Sequence, residues 1–384
     1  MEQPNKDKEK KKKKVKKEKK DEQKRKEKKG MDKKGDGSSC NAAGYWADEV
    51  RLDALPIFET LKDCQSVLLA GCGGGYDVFS GLPLYFALQK MDKKVHLANL
   101  CFTDLALVTG KRFADICIEV TADTVRENVR NYSENFERVE YYFPELYLSK
   151  WFRQHEQQEV PIYTFPRSGV QPTLKVYKAL VEHLQLDAIV LVDGGTDSLM
   201  RGDEQLLGTP VEDMQSIAAV RLLEEEQVKR KVMACIGFGV DAFHGVCHSR
   251  FLENVATLSK QGAFLGTLSV LPQHVEAQKF IHAYEHCSPS NSIVCASVVS
   301  AIRGEFGNYH HPATKQRTAS STLFINPLMS MYWFFHLDQV ADNVHYLHLL
   351  KDTTTSYQVQ RAISEFRQSY NPKLPTRQDI PFPH

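Results

Sequence analysis

Short apolar runs that end in glycine recur along this chain, separated by stretches of helical length. Ser66 to Ala70 (Ser-Val-Leu-Leu-Ala) is a continuous apolar run closing in Gly71-Cys72-Gly73-Gly74-Gly75-Tyr76-Asp77, and Val78 to Leu88 is long and apolar enough for a buried helix. Val95 to Leu100 then supplies a second strand at the chain distance a βαβ unit requires. Pro161 to Phe165 predicts a strand, Thr173 to Leu184 a helix, and Ala188 to Val192 a strand ending in Asp193-Gly194-Gly195-Thr196-Asp197-Ser198. A helix over Val211 to Gln227 precedes a buried strand at Lys231 to Ile236, which closes in Gly237-Phe238-Gly239-Val240-Asp241. A strand at Ala263 to Leu268, a helix at Pro272 to His286 and a late strand at Ser321 to Asn326 follow, before the aromatic run Met331 to Phe335. The polar stretch Thr121 to Arg138 and the aromatic stretch Tyr141 to Trp151 read as an insertion or helical cover rather than as sheet.

Strands alternating with helices predict an α/β fold: a doubly wound, mostly parallel, Rossmann-like sheet with helical insertions. Ligands of such sheets lie beyond the carboxyl ends of the strands. All three glycine turns fall at such ends, so they can share one crevice although they are far apart in sequence.

Net charge divides the chain in two. Residues 1 to 36 hold 18 Lys+Arg and 9 Asp+Glu; of the 49 basic and 48 acidic residues in the chain, that leaves 31 and 39 for the remainder. A tail of net +9 therefore precedes a body of net −8. The tail, residues 1–39, has almost no apolar residue beyond Val15 and is expected to be disordered, since it buries nothing to offset the entropy of ordering. Residues 40–384 are expected to form one α/β domain. The lysine runs act as a solubilising segment or as an electrostatic contact for nucleic acid or another acidic partner; interleaved acids and the lack of aromatic residues weigh against specific nucleic-acid recognition. No apolar stretch approaches the roughly 20 residues that cross a bilayer, and no signal-peptide core follows the charged start. Nine cysteines without a Cys-x-x-Cys pair fit reduced thiols in the cytoplasm, with the nucleus as the alternative, and argue against structural zinc.

The chemistry is expected on the turns. Consecutive glycines allow close backbone approach, and the helix that follows offers free N–H groups and a dipole to an anion, which makes Gly71, Gly73, Gly74 and Gly75 candidates for phosphate or carboxylate contact. The alternative is a turn packed tightly for structural reasons. Each turn carries an acid: Asp77 after the first, Asp193 and Asp197 around the second, with Gly194, Gly195 and Thr196 between them, and Asp241 after Gly237 and Gly239 of the third. Such acids bind a divalent ion, hold ribose hydroxyls or act as general base. Helix capping is the competing role, favoured slightly for Asp77 and Asp241. His244 and His248 stand four apart, on one face if a helix starts there, and His244 is a candidate acid or base. Arg167, in Thr164-Phe165-Pro166-Arg167-Ser168-Gly169-Val170-Gln171, can pair with a phosphate or carboxylate. The loop Arg303 to His311 can serve as a lid.

Taken alone, Val67 to Gly75 resembles the first motif of the S-adenosylmethionine methyltransferases. Those enzymes end the next strand with an acid for the ribose hydroxyls, whereas this chain offers Asn99 there. The wider set resembles an uncharacterised family of archaeal, bacterial and scattered eukaryotic proteins catalogued only as a domain of unknown function. The motifs that carry this likeness are Ala70 to Asp77, Pro144-Glu145, Phe165 to Val170, and Val192 to Ser198 with Arg201-Gly202-Asp203-Glu204. The likeness covers about residues 60–340 and implies no mechanism.

The resulting expectation is an enzyme that binds a nucleotide or other small anionic metabolite for hydrolysis or group transfer, with Asp193, Asp197 or His244 in proton transfer or holding a divalent ion. The alternatives are a methyltransferase and a non-catalytic nucleotide-sensing or interaction protein. In the last case, removing residues 1–39 is expected to abolish salt-dependent partner binding, measured at two ionic strengths; binding unchanged by truncation would make the tail passive.

Overall fold

The computed structural model describes residues 52–127, 142–286 and 291–370. The chain divides into two units, residues 1–53 and 54–384, and every element below belongs to the second. The lysine-rich tail lies outside the described residues, as do Cys40, Cys287 and most of the polar stretch before Tyr142.

Nine strands form one sheet: β1 (Ser66–Gly71), β2 (Lys94–Cys101), β3 (Lys111–Phe113), β4 (Cys117–Val120), β5 (Ile162–Pro166), β6 (Ala188–Asp193), β7 (Arg230–Cys235), β8 (Phe264–Ser269) and β9 (Met331–His336). Their order is β8-β9-β7-β6-β1-β2-β5-β4-β3. The five at the centre, β7 to β5, pair in parallel. Both flanks are antiparallel: β9 and β8 beyond β7, β4 and β3 beyond β5. The sheet is therefore mixed, with a parallel core. From β1 the chain builds outward through β2 and β5, then returns to lay β6 and β7 on the other side of β1.

Neighbouring residues on the central strands point into two separate cores. Leu68, Ala70, Ile189, Leu191 and Met233 pack with helices α3 (Val170–Leu184), α4 (Pro210–Arg221), α5 (His248–Lys260), α8 (Leu337–Asn343) and α9 (Ser356–Ser369). On the opposite face Val67, Leu69, Val190, Val192 and Ala234 pack with α1 (Leu82–Lys90), α2 (Pro144–Trp151), α6 (Val275–His286) and α7 (Ile293–Ile302). Burial on both faces is what turns these strands into continuous apolar runs.

Several elements depart from the sequence reading. The helix expected over Val78 to Leu88 is two pieces, a turn at Asp77–Ser80 and then α1, because Pro83 lies in the first turn of a new helix and cannot donate into a preceding one. Helix α4 stops at Arg221, ahead of Glu224, Glu225 and Glu226, whose charges oppose the carboxyl-terminal end of a helix dipole. Of the late strand at Ser321 to Asn326 only Phe324–Ile325 pairs, with Gly307–Asn308. The aromatic run is instead β9, sending Tyr332 and Phe334 into one core and Trp333 and Phe335 into the other. The aromatic stretch before Trp151 does form a helical cover, α2.

Every cysteine among the described residues is buried and free of disulfides. No described helix is long and apolar enough to cross a membrane.

The loop after β5 is clamped by the segment before α9. The backbone N–H of Val170 donates to Thr353 Oγ1 at 3.0 Å and that of Gln171 to the Thr353 carbonyl at 3.0 Å. A Cβ at Gly169 would lie 2.4 Å from the Thr353 carbonyl. Gly169→Ala is therefore expected to cost about 1–3 kcal/mol, the usual penalty of overpacking, in urea denaturation; unchanged stability would mean that the two segments are not in contact in solution.

Candidate functional site

The first glycine turn is shaped by what it must avoid. Gly74 and Gly75 have φ of +89° and +61°, and a Cβ at Gly74 would lie 2.6 Å from the Leu100 carbonyl oxygen, so only glycine fits. The N–H of Gly75 donates to that same oxygen at 3.0 Å. At Gly71 a Cβ would fall 1.9 Å from Asn99 Oδ1, and at Gly73 it would fall 2.6 Å from Asp213 Oδ1. The space left by these glycines is thus occupied by the protein's own polar side chains.

Hydrogen bonds join the turns across the sheet. Asp77 accepts from the Gly73 N–H at 2.7 Å with Oδ2 and from the Gly194 N–H at 3.2 Å with Oδ1. Cys72 N–H donates to the Val192 carbonyl at 2.8 Å, and Ser216 on α4 donates to the Cys72 carbonyl at 2.7 Å. Thr196 joins the second turn to the third, its N–H donating to Asp241 Oδ2 at 2.7 Å. Ser198 Oγ donates to Asp193 Oδ2 at 2.5 Å, and the N–H and hydroxyl of Thr209 donate to Asp197 Oδ2 at 2.7 and 3.1 Å. A Cβ at Gly195 would lie 2.8 Å from Asp241 Oδ2 and 3.1 Å from Asp193 Oδ1. The three turns meet at one place, as their positions at strand ends predicted.

Capping is not the role of Asp77 or Asp241. Tyr76 and Gly239 occupy the cap positions of the two helical turns, and each acid accepts instead from the backbone of a distant loop.

The result is a buried group of acids. Oxygens of Asp77, Asp193 and Asp213 lie within 4.8 Å of one another, with Asp197 and Asp241 adjoining. Burial lifts the Asp77 carboxyl to about 7, against the pull of the Gly73 and Gly194 amides. Asp193, Asp213 and Asp241 are raised well above the ordinary carboxylate range, first by burial and then by the charges of neighbouring acids, Asp197 foremost. Burial raises Asp197 too, opposed by its Thr209 hydrogen bonds and by nearby His244. Among the described residues, no lysine or arginine forms an ion pair with any of these five.

The remaining candidates are placed more loosely. Arg167 is exposed, pairs with Glu212 at 3.2 Å and lies over the Phe102 ring, 5.4 Å from its centroid, beside Gly75. Gly237 and Gly239 bend the third turn with φ of +95° and +90°. His244 ends a 3-10 turn while His248 begins α5, with the left-handed Gly245 between them, so they do not share a helix face. In the loop Arg303 to His311, Tyr309 and His311 line a neighbouring cavity of about 420 Å³ rather than covering the acids.

Asp213 and Arg317 had no place in the sequence reading, and Glu145 entered it only within the Pro144-Glu145 motif. Asp213 sits on the buried side of α4, where Ile217 and Val220 follow at helical spacing; an acid in line with an apolar stripe was the available signal. Glu145, fully buried, accepts from Asn99 Nδ2 at 2.7 Å, and Asn99 also donates to the Gly75 carbonyl at 2.8 Å. Asn99 is thereby held inward. Arg317 borders a cavity of about 250 Å³ whose wall also includes Gly74, Tyr76, Asp77, Tyr142 and Ser292. Nothing in its local sequence marked it.

Residues 118–369 match a family described as protein of unknown function (DUF1152). The chain belongs to that family. The matched stretch begins at β4 and ends in α9, so it starts and stops later than residues 60–340, and it supplies Asp193, Asp197, Asp213 and Asp241 while β1 and Asp77 precede it. No curated protein and no solved structure matches the chain.

Burial lifts Glu145 to about 7, above the ordinary value of 4.5, against the pull of its Asn99 hydrogen bond. Its protonation in the folded chain therefore contributes stability that is full below about pH 4.5 and lost as pH rises through about 7. Glu145→Gln keeps the acceptor and cannot ionise. Relative to this variant, the wild type is expected to lose on the order of 1–3 kcal/mol between pH 5 and pH 8 in urea denaturation. A difference that does not change with pH would contradict the raised value.

Proposed function

We propose that this protein is an enzyme that takes a nucleotide or another small anionic metabolite into the crevice beyond β1, β6 and β7 and carries out hydrolysis or group transfer on it. On this reading the sheet acts as a doubly wound, Rossmann-like layer, and the crevice is its switch point, where the chain departs from β1 in opposite directions.

The observation that carries the reading is the cavity of about 250 Å³ beside the acids. One wall has Gly74 and Asp77; the other has Ser292, which caps the start of α7, and Arg317. A helix start and a guanidinium suit an anionic group, and the rings of Tyr76 and Tyr142 suit a flat or apolar one. Its volume falls just below the roughly 300–1,000 Å³ of sites that enclose drug-sized ligands, which favours a small metabolite or the phosphate and sugar end of a nucleotide. Arg167, over the Phe102 ring that lies beside Gly75, assists. A carboxyl held above its ordinary range keeps a proton more readily than a free one, so proton transfer falls to Asp197 with nearby His244, and Asp193 serves either in proton transfer or in holding a divalent ion.

A thermal-shift panel of nucleotides, nucleosides, dinucleotides and phosphorylated metabolites, each with and without magnesium, manganese or zinc, is expected to give at least one ligand that raises Tm. Arg317→Ala is expected to weaken that ligand about tenfold, the loss of one charge-assisted contact. A flat response across the panel would refute the proposal.

A further inference from the structure

We propose that Asp77, Asp193 and Asp213 bind one hard divalent cation, magnesium or manganese, and that this ion lets an acidic crevice accept a phosphate-bearing substrate. The metal site stands on its own observations; only the substrate clause rests on the function proposed above.

The first observation is geometric. Three separate segments, the turn after β1, the end of β6 and the first turn of α4, each bring a carboxylate oxygen within 4.8 Å of the other two. Oxygens bound to one cation at about 2.0–2.6 Å are about 3 Å apart when adjacent and about 4–5 Å apart when opposite. The cluster needs only small side-chain movement to close on an ion.

The second observation is an unsatisfied atom. Asp213 is 2 % exposed, and its Oδ1 accepts no hydrogen bond. It points toward Asp77: the position a Cβ would take at Gly73 lies 2.6 Å from Asp213 Oδ1 and 3.2 Å from Asp77 Oδ2. A buried carboxylate oxygen without a partner is costly, and a cation at that point removes the cost.

The third is the arrangement around the acids. Gly73 and Gly194 orient Asp77, and Ser198 orients Asp193, each hydrogen bond aiming a carboxylate while leaving lone pairs free. Outer partners of this kind are what hold metal ligands in place. The donor set is oxygen only, which selects a hard ion over zinc or copper. Asp77 belongs to both the cluster and the cavity wall, so a phosphate entering the cavity meets the ion.

The test is manganese titration of the full-length protein after EDTA treatment, followed by electron paramagnetic resonance of free Mn²⁺ and by Tm. One Mn²⁺ per chain, a rise in Tm, and competition by Mg²⁺ are expected. Asp193→Asn and Asp213→Asn are each expected to weaken binding at least tenfold, while their Tm in EDTA equals or exceeds that of the wild type, because a buried repulsion is gone and the fold is intact. Absence of Mn²⁺ binding by the wild type at millimolar metal, or wild-type affinity in both variants, would overturn the site. A metabolite that binds equally well in EDTA would overturn the substrate clause while leaving the proposed function standing. Metal binding without any metabolite response would leave the metal site standing while refuting the proposed function and, with it, the substrate clause.

Discussion

Two hydrogen bonds to one carboxylate organise the centre of this molecule. Asp77 accepts from Gly73 within its own turn and from Gly194 after β6, and so ties together two strands that are adjacent in space but separated by more than a hundred residues of chain. Once that link is made, Asp193 and Asp213 are drawn beside it, and Thr196 brings in Asp241. Packing so many acids into a space with little water is tolerated only if they are protonated, richly hydrogen-bonded or neutralised by a cation. The backbone amides supply part of that compensation. The unpartnered oxygen of Asp213 marks where it is incomplete.

The sheet makes the convergence possible. Five parallel strands point their carboxyl ends the same way, and the return of the chain from β5 to β6 puts the second half of the sheet against the other side of β1. Helices cover both faces with separate apolar cores, so the strand ends are the place where polar side chains can gather. The antiparallel flanks extend the sheet without contributing acids to the cluster. The glycines serve this crowding. At Gly71, Gly73 and Gly195 the missing Cβ makes room for the oxygens of Asn99, Asp213 and Asp241.

Much of this scaffold was legible in the chain. The strands that became β1, β2, β5, β6 and β7 stood out because burial on both faces leaves uninterrupted apolar runs, and their ends lay within a residue or two of those expected. The same cause hid β9: Met331 to His336 is apolar on both faces too, and its aromatic composition gave no periodicity to separate strand from helix. Strand β4, Cys117–Val120, was short and half-obscured by charged neighbours. Among the site residues, Asp77, Asp193, Asp197 and Asp241 were visible beside glycines and Glu145 only as part of a family-like motif, whereas Asp213 and Arg317 sit on helices where acids and bases are ordinary.

Local sequence by itself determined the five central strands, where glycine turns end three of them, and that each turn carries an acid, because these depend on apolar run length and backbone freedom over a few residues. Only the tertiary structure decided that those acids are neighbours, that their glycines make room for carboxylates, and that an acid from α4 completes the group. Contacts of that kind depend on the order of strands in the sheet, and a chain read linearly contains no distance between Asp77 and Asp213.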